Sequence, residues 1–328
     1  MNRLFIVLLF LLNVSCFAQK KTAVPIIFDT DIAGDYDDVG AMALLHAFAD
    51  QGEAEILGMV SCNVFHTTVP TISVLNTYFG RPSIPVGITK TEFPNKDCQQ
   101  KWAQGIVEKY PHALKSNAEA MDAVKLYRQL LAKQPDRSVT IITVGFFTNL
   151  AQLLDSKPDE FSKLTGKELI KKKVKNLVSM AAGLPAGKDR FHEYNVHVDA
   201  KSSQKVFADW NTPILLSGFE IGEKIHTGIR LISSASIQNS PVKDAYQIAL
   251  TADKNTKGRM SWDQTAVLVA IRGVEPYFSS RKLNFEITDD GTNILIPGER
   301  FEYLTEKMPA AEVAQLIENL MMHQPKTK

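Results

Sequence analysis

Five aspartates fall within ten residues, Asp29, Asp31, Asp35, Asp37 and Asp38, in the stretch P-I-I-F-D-T-D-I-A-G-D-Y-D-D-V-G-A. Carboxylates this close repel one another, and a buried charge without a partner is costly. Something positive must hold them, and a hard divalent cation with oxygen ligands is the natural choice. The apolar run 25–28 reads as a buried strand that delivers the group. Gly34 permits a sharp turn, and a helical pattern from Val39 onward puts a helix N-terminus beside the last two carboxylates, where negative charge is favoured. A solvated acidic loop with a helix cap is the plain alternative. Such loops seldom follow directly on a buried strand.

Further apolar runs at 55–61, 84–87, 139–144, 174–180 and 213–217 read as strands, and helical patterns lie between them at 70–79, 118–133, 149–156 and 200–209. This alternation predicts an α/β fold with a mostly parallel central sheet flanked by helices. Ligands bind such sheets at the carboxyl ends of the strands, so polar residues found there share one rim. Asn63, just past the second strand, is one of them. A polar start running into an amphipathic helix occupies 258–271, and a last helix is expected at 309–322. Residues 89–117 show only weak helical periodicity and read as a long covering loop, with Trp102 as a packing residue. The lysines at 171–175 read as a solvated helix end.

The 328 residues carry a formal net charge of +1 and 45% hydrophobic content, which is ordinary for a globular chain with a large core. The balance excludes a basic nucleic-acid footprint. No linker or composition shift divides the chain, which predicts a single large domain. Residues 1–18 have Arg3, an apolar core and a small-residue end, the pattern of a secretory signal peptide cut after Ala18. The mature domain, 19–328, is then secreted or periplasmic, with no stable membrane insertion. Cys16 offers lipoprotein processing as a second reading, against which Asn13 stands where an aliphatic residue is wanted. An oxidising compartment permits a disulfide between Cys62 and Cys98, although Cys62 ends an apolar run and reads as a small buried residue.

The aspartate stretch resembles the signature of the inosine-uridine nucleoside hydrolase family, a D-x-D, a glycine turn, then D-D and a small-residue helix. Two additional residues separate the pairs here, so Asp35 rivals Asp37 for one family position. The resemblance continues in order through Asn63, T-I-I-T-V-G-F-F-T-N-L-A, Met180 followed by E-Y-N, and W-D at 262–263. It implies a calcium-dependent nucleoside N-ribohydrolase whose Ca²⁺ is held by Asp31, Asp38, Asp263 and the main-chain carbonyl of Val144. A calcium-bound water would give its proton to Asp31 as general base. Asp37, Asn63, Met180, Glu193 and Asn195 would hold the ribose, with Asp199 in support and Thr148 as a helix cap. Lys188 or Asp189 stands near the place of a family asparagine, and Glu220 near that of a rim acid to which no role is given. Before Asp263 the family commonly has a histidine as leaving-group acid. Trp262 stands here, as in the purine-preferring branch, where a tryptophan stacks on the base; the alternative is a core anchor. The family also implies a homodimer or homotetramer acting on a small nucleoside. Two other readings remain. Phe28-Asp29-Thr30-Asp31 fits the opening of haloacid-dehalogenase-type phosphatases, although Ala33 stands where Thr or Val is wanted. A non-catalytic protein binding calcium and sugar is the other.

Overall fold

The computed structural model describes residues 22–186 and 188–325, so the expected signal peptide, its cut after Ala18 and Cys16 lie outside the described residues. At the centre is β1 (Val24–Thr30), and its sequence explains why. Ile26, Ile27 and Phe28 are completely buried, Ile26 and Phe28 in one apolar cluster and Ile27 in another. Successive strand residues point to opposite faces, so a run apolar on both must lie between two layers.

The other strands are β2 (Ala54–Ser61), β3 (Val86–Ile88), β4 (Met121–Asp122), β5 (Val139–Thr143), β6 (Val174–Met180), β7 (Arg190–Phe191), β8 (Ile214–Ser217), β9 (His226–Thr227), β10 (Arg259–Met260), β11 (Phe278–Ile287) and β12 (Asn293–Glu306). The main sheet runs β11-β12-β8-β6-β5-β1-β2-β3-β4, with β7 against β12, and β9 and β10 form a separate ribbon. From β4 through β12 every neighbouring pair is parallel, whereas β11 and β7 run antiparallel to β12. The chain builds outward from β1 through β2 to β4, then returns to lay β5 on its other side. Strand order therefore reverses between β1 and β5, and a crevice opens beyond their carboxyl ends. This is the expected single α/β domain. Among the described residues no helix is long and apolar enough to cross a membrane.

The departures from expectation have local causes. The helix expected over 118–133 begins only at Ala123, because the Asp122 carboxylate accepts the Lys125 N–H at 2.9 Å and caps it there. The third strand starts two residues late, since the Ile84 N–H is spent on the Arg81 carbonyl in a turn. The long hairpin β11–β12 is not among the strands expected from the sequence. In 89–117 a helix forms at Trp102–Lys109, with Trp102 fully buried as a packing residue. Cys62 and Cys98 are both buried free thiols.

Candidate active site

Two aspartates of the D-x-D pair part company at the end of β1. Asp29 has no exposed surface, and it accepts the Tyr127 hydroxyl at 2.8 Å and the Asn149 amide at 3.0 Å. Burial pushes its carboxyl up to about 7 against those hydrogen bonds. A phosphatase using this pair would need both carboxylates at its substrate. Asp29 is sealed inside the sheet, which sets that reading aside.

Asp31 turns the other way, into a cavity of about 220 Å³ above the crevice. The loop that carries it is strained and braced. Ala33 has φ +80°, a left-handed conformation unusual for a residue with a side chain. Gly145, after β5, comes so close that a Cβ there would lie 2.6 Å from the Asp31 nitrogen. Asn63 donates from Nδ2 to the carbonyls of Asp31 (3.1 Å) and Lys96 (2.8 Å), and its Oδ1 accepts the N–H groups of Phe65 (3.2 Å) and Lys96 (2.9 Å). Asn63 is thus consumed by the loop. It is completely buried and does not line the cavity, although the sequence put it at the sugar.

Asp37 and Asp38 open the helix Asp37–Asp50, and Asp263 lies in the first turn of the helix Trp262–Arg272, which packs against it. Carboxylate oxygens of these three residues lie within 4.8 Å of one another, and all three are buried. Both helices begin at the trio, so their amino-terminal dipoles favour the negative charge. Even so, burial and mutual repulsion dominate. Burial, then the Asp31 and Asp37 charges, holds Asp38 well above the usual carboxylate range, and burial, then Asp37 and Asp38, does the same for Asp263. Asp37 is pushed up to about 7 by burial and Asp35, opposed by Arg259. Asp31 lines the same cavity but falls outside the trio; burial and the charges of Asp35 and Asp37 raise it strongly. Asp38 accepts the Thr30 hydroxyl on Oδ1, while its buried Oδ2 has no hydrogen-bond partner. Oxygen-only donors, clustered, buried and partly unpartnered, fit a hard divalent cation.

A second set of residues comes from the ends of β5 and β6 and from the helix start that follows β7. Glu193 accepts the N–H groups of Ala182 (3.2 Å), Asn195 (3.0 Å) and Val196 (3.1 Å), capping the short helix Tyr194–Val198. Burial pushes it up to about 7 despite those donors. Asn195 donates to the carbonyls of Val144 (3.1 Å) and Met180 (3.2 Å) and to the Met180 sulfur. The Val144 carbonyl keeps a second lone pair. Val144, Met180, Glu193 and Asn195 all line the cavity; Lys188, Asp189 and Asp199 do not. Thr148 is not a cap: it is the first residue of its helix, and its hydroxyl donates to Asp199 at 2.5 Å. Asp199 in turn caps the next helix through the Ser202 N–H. Glu220 supports the fold, accepting the Leu184 N–H at 2.9 Å and the Tyr303 hydroxyl at 2.7 Å.

The remaining wall is aromatic, formed by Tyr194, Phe219 and Trp262. Trp262 is half-buried, its indole N–H donates to the Phe219 carbonyl at 2.7 Å, and the two rings lie 5.2 Å apart. It is anchored like a core residue and yet borders the cavity. Arg259, which the sequence reading passed over inside G-R-M-S-W-D, also lines it, paired with Asp35 and 3.3 Å from Asp37. Its approach separates the two rivals: the Asp35 side chain is 42% exposed and that of Asp37 only 3%.

Known proteins share this fold. The family model described as inosine-uridine preferring nucleoside hydrolase matches residues 26–320. An inosine-uridine preferring nucleoside hydrolase from Bacillus anthracis superposes with a TM-score of 0.66 at 16% identity, covering 91% of this chain and 99% of that one. A purine-preferring ribonucleoside hydrolase from Gardnerella vaginalis gives the same TM-score of 0.66, 16% identity and coverage of 91% and 99%. The effector protein XOO4466 reaches 0.70 at 13% identity over 92% of this chain and 93% of its own. No curated protein matches the chain. At these identities the superpositions speak for the fold alone, and membership rests on the family match, which spans nearly the whole described chain: it belongs to the inosine-uridine preferring nucleoside hydrolase family.

Proposed function

We propose that the protein hydrolyses the N-glycosidic bond of purine nucleosides to free base and ribose, with Ca²⁺ held by Asp31, Asp38, Asp263 and the Val144 carbonyl. The observation that carries this reading is the meeting of buried carboxylates, Glu193, Asn195 and Trp262 around one cavity at the switch point of the sheet. When bound, the cation supplies Lewis-acid polarisation of the attacking water and of the sugar hydroxyls. Asp31 takes the proton of that water as it adds to the anomeric carbon. Asp37, Glu193 and Asn195 hold the ribose hydroxyls, and the two carboxylates stabilise the positive charge that builds on the ring. Asn63 contributes by fixing the Asp31 loop. The base packs on the aromatic wall.

Free ribose released from inosine, adenosine, guanosine, uridine and cytidine, with inorganic phosphate release from a phosphate ester alongside, is the first measurement. Ribose from the purine nucleosides ahead of the pyrimidines is the expected result. Faster cleavage of uridine than of inosine would defeat the purine assignment, and binding without cleavage would leave a calcium and sugar receptor.

Trp262→Ala is expected to lower purine turnover by roughly 10- to 100-fold, since base–aromatic stacking is worth about 1–3 kcal/mol and would be expressed in the transition state. Uridine, with less ring to stack, should lose less. Equal losses for both classes, together with a lowered melting temperature, would make Trp262 a core residue.

A further inference from the structure

The cavity is lined by six carboxylates, Asp31, Asp35, Asp37, Asp38, Glu193 and Asp263, and among its lining residues Arg259 is the only cation. That imbalance suits the sugar, which becomes positive as its bond to the base breaks. It is hostile to the base, which leaves with the bonding electron pair. In this family's usual pattern a histidine stands before the last aspartate, and here Trp262 supplies no proton.

Arg259 is held in place by a built turn. Gly258 has φ +96°, and a Cβ on it would sit 2.6 Å from the Thr227 carbonyl oxygen, so only glycine lets β10 lie against β9 there. Asn255 Oδ1 accepts the N–H groups of Lys257 (2.9 Å) and Gly258 (3.1 Å), and the hydroxyls of Thr227 and Ser261 meet at 2.8 Å beyond the arginine. The guanidinium carbon lies 4.9 Å from the Trp262 ring centroid and 5.1 Å from that of Tyr36. Nε and one terminal nitrogen face Asp37 and Asp35. The other, Nη1, has no hydrogen bond among the described residues, and the side chain is 16% exposed, at the cavity.

We propose that Arg259 meets the departing base and neutralises the charge it takes on. The inference rests on the nucleoside hydrolysis proposed above. As the C–N bond breaks, its electron pair goes to the base nitrogen, the water oxygen bonds to the anomeric carbon, and the water's proton goes to Asp31. Arg259 keeps its own protons and donates a charge-assisted hydrogen bond from Nη1 to the base anion, which then takes a proton from solvent. Cation–π contacts with Tyr36 and Trp262 and the ion pairs with Asp35 and Asp37 hold the guanidinium in position, so little reorganisation is left for the moment of bond breaking.

The test uses two ribosides that differ in their need for that charge. Inosine has a poor leaving group, whereas 4-nitrophenyl β-D-ribofuranoside releases a phenolate that is stable unaided. Arg259→Gln should lose about 10²–10³-fold in kcat on inosine, the usual cost of removing one preorganised donor, and change little on the nitrophenyl riboside. Arg259→Lys, which keeps a cation but not the planar fork, should recover part of the inosine activity. Equal losses on both substrates would make Arg259 a mere support for Asp35 and Asp37 and overturn the proposal; so would unchanged inosine cleavage by a folded Arg259→Gln protein. A wild-type protein that cleaves neither riboside overturns the hydrolase reading, and with it any role for Arg259 at a leaving base.

Discussion

Asp31→Asn is expected to lower ribose release by about 10²–10⁴-fold, the range for losing a positioned general base. Asparagine keeps the shape of the side chain and cannot take the water's proton. The fold should survive, and the metal-free variant should melt no lower than the metal-free wild type. In the native protein the Asp31 carboxylate is buried and faces the charges of Asp35, Asp37 and Glu193, so a neutral amide relieves repulsion. Melting with and without Ca²⁺ separates the two roles assigned to this residue. A variant that keeps the calcium-dependent rise in melting temperature and loses turnover has lost its base; one that loses both has lost a ligand. Wild-type turnover in Asp31→Asn would end the assignment altogether.

Chelation should have the second largest effect, because the cation is expected to join two helices as well as to serve the chemistry. A ligand at a hundred times its dissociation constant stabilises the folded state by about 2.7 kcal/mol, which for a domain of this size corresponds to a rise of roughly 5 °C. Asp263→Ala should abolish that rise and the activity together. Its metal-free melting temperature should equal or exceed that of the metal-free wild type, since the substitution deletes a carboxylate that burial and Asp37 and Asp38 disfavour as an anion. Melting and turnover indifferent to chelation would remove the cation from the proposal. A response to Mg²⁺ with none to Ca²⁺ would change its identity.

The parallel core of the fold was legible because it is written locally. Runs such as Ile26–Phe28 must be buried on both faces, and the alternation with helical patterns leaves few ways to arrange them. The β11–β12 hairpin was harder, since an antiparallel edge half open to solvent carries a weaker signal. In the site, the aspartates were visible because five in ten residues is a costly arrangement without a purpose. Asn63 was placed on the right rim but turned toward the wrong partner. An asparagine at a strand end can serve a ligand or a neighbouring backbone, and only the course of residues 94–98 decides it. Arg259 left almost no trace. It lies on a two-residue strand, and its proposed role rests on its being the sole cation among the described residues lining the cavity, a property of three-dimensional neighbours that no local pattern records.

The acidic trio also bears on how the protein is made. Asp37 and Asp38 precede the second strand, whereas Asp263 opens the last but one of the long helices. A chain synthesised from its amino end therefore makes β2 to β10 before Asp263 can join the first two carboxylates. No fragment that stops short of residue 263 can assemble the trio, and without Asp263 it lacks one ligand of the proposed ion. The proposed ion would then report whether the chain has reached Asp263: a chain interrupted before it keeps the repulsion.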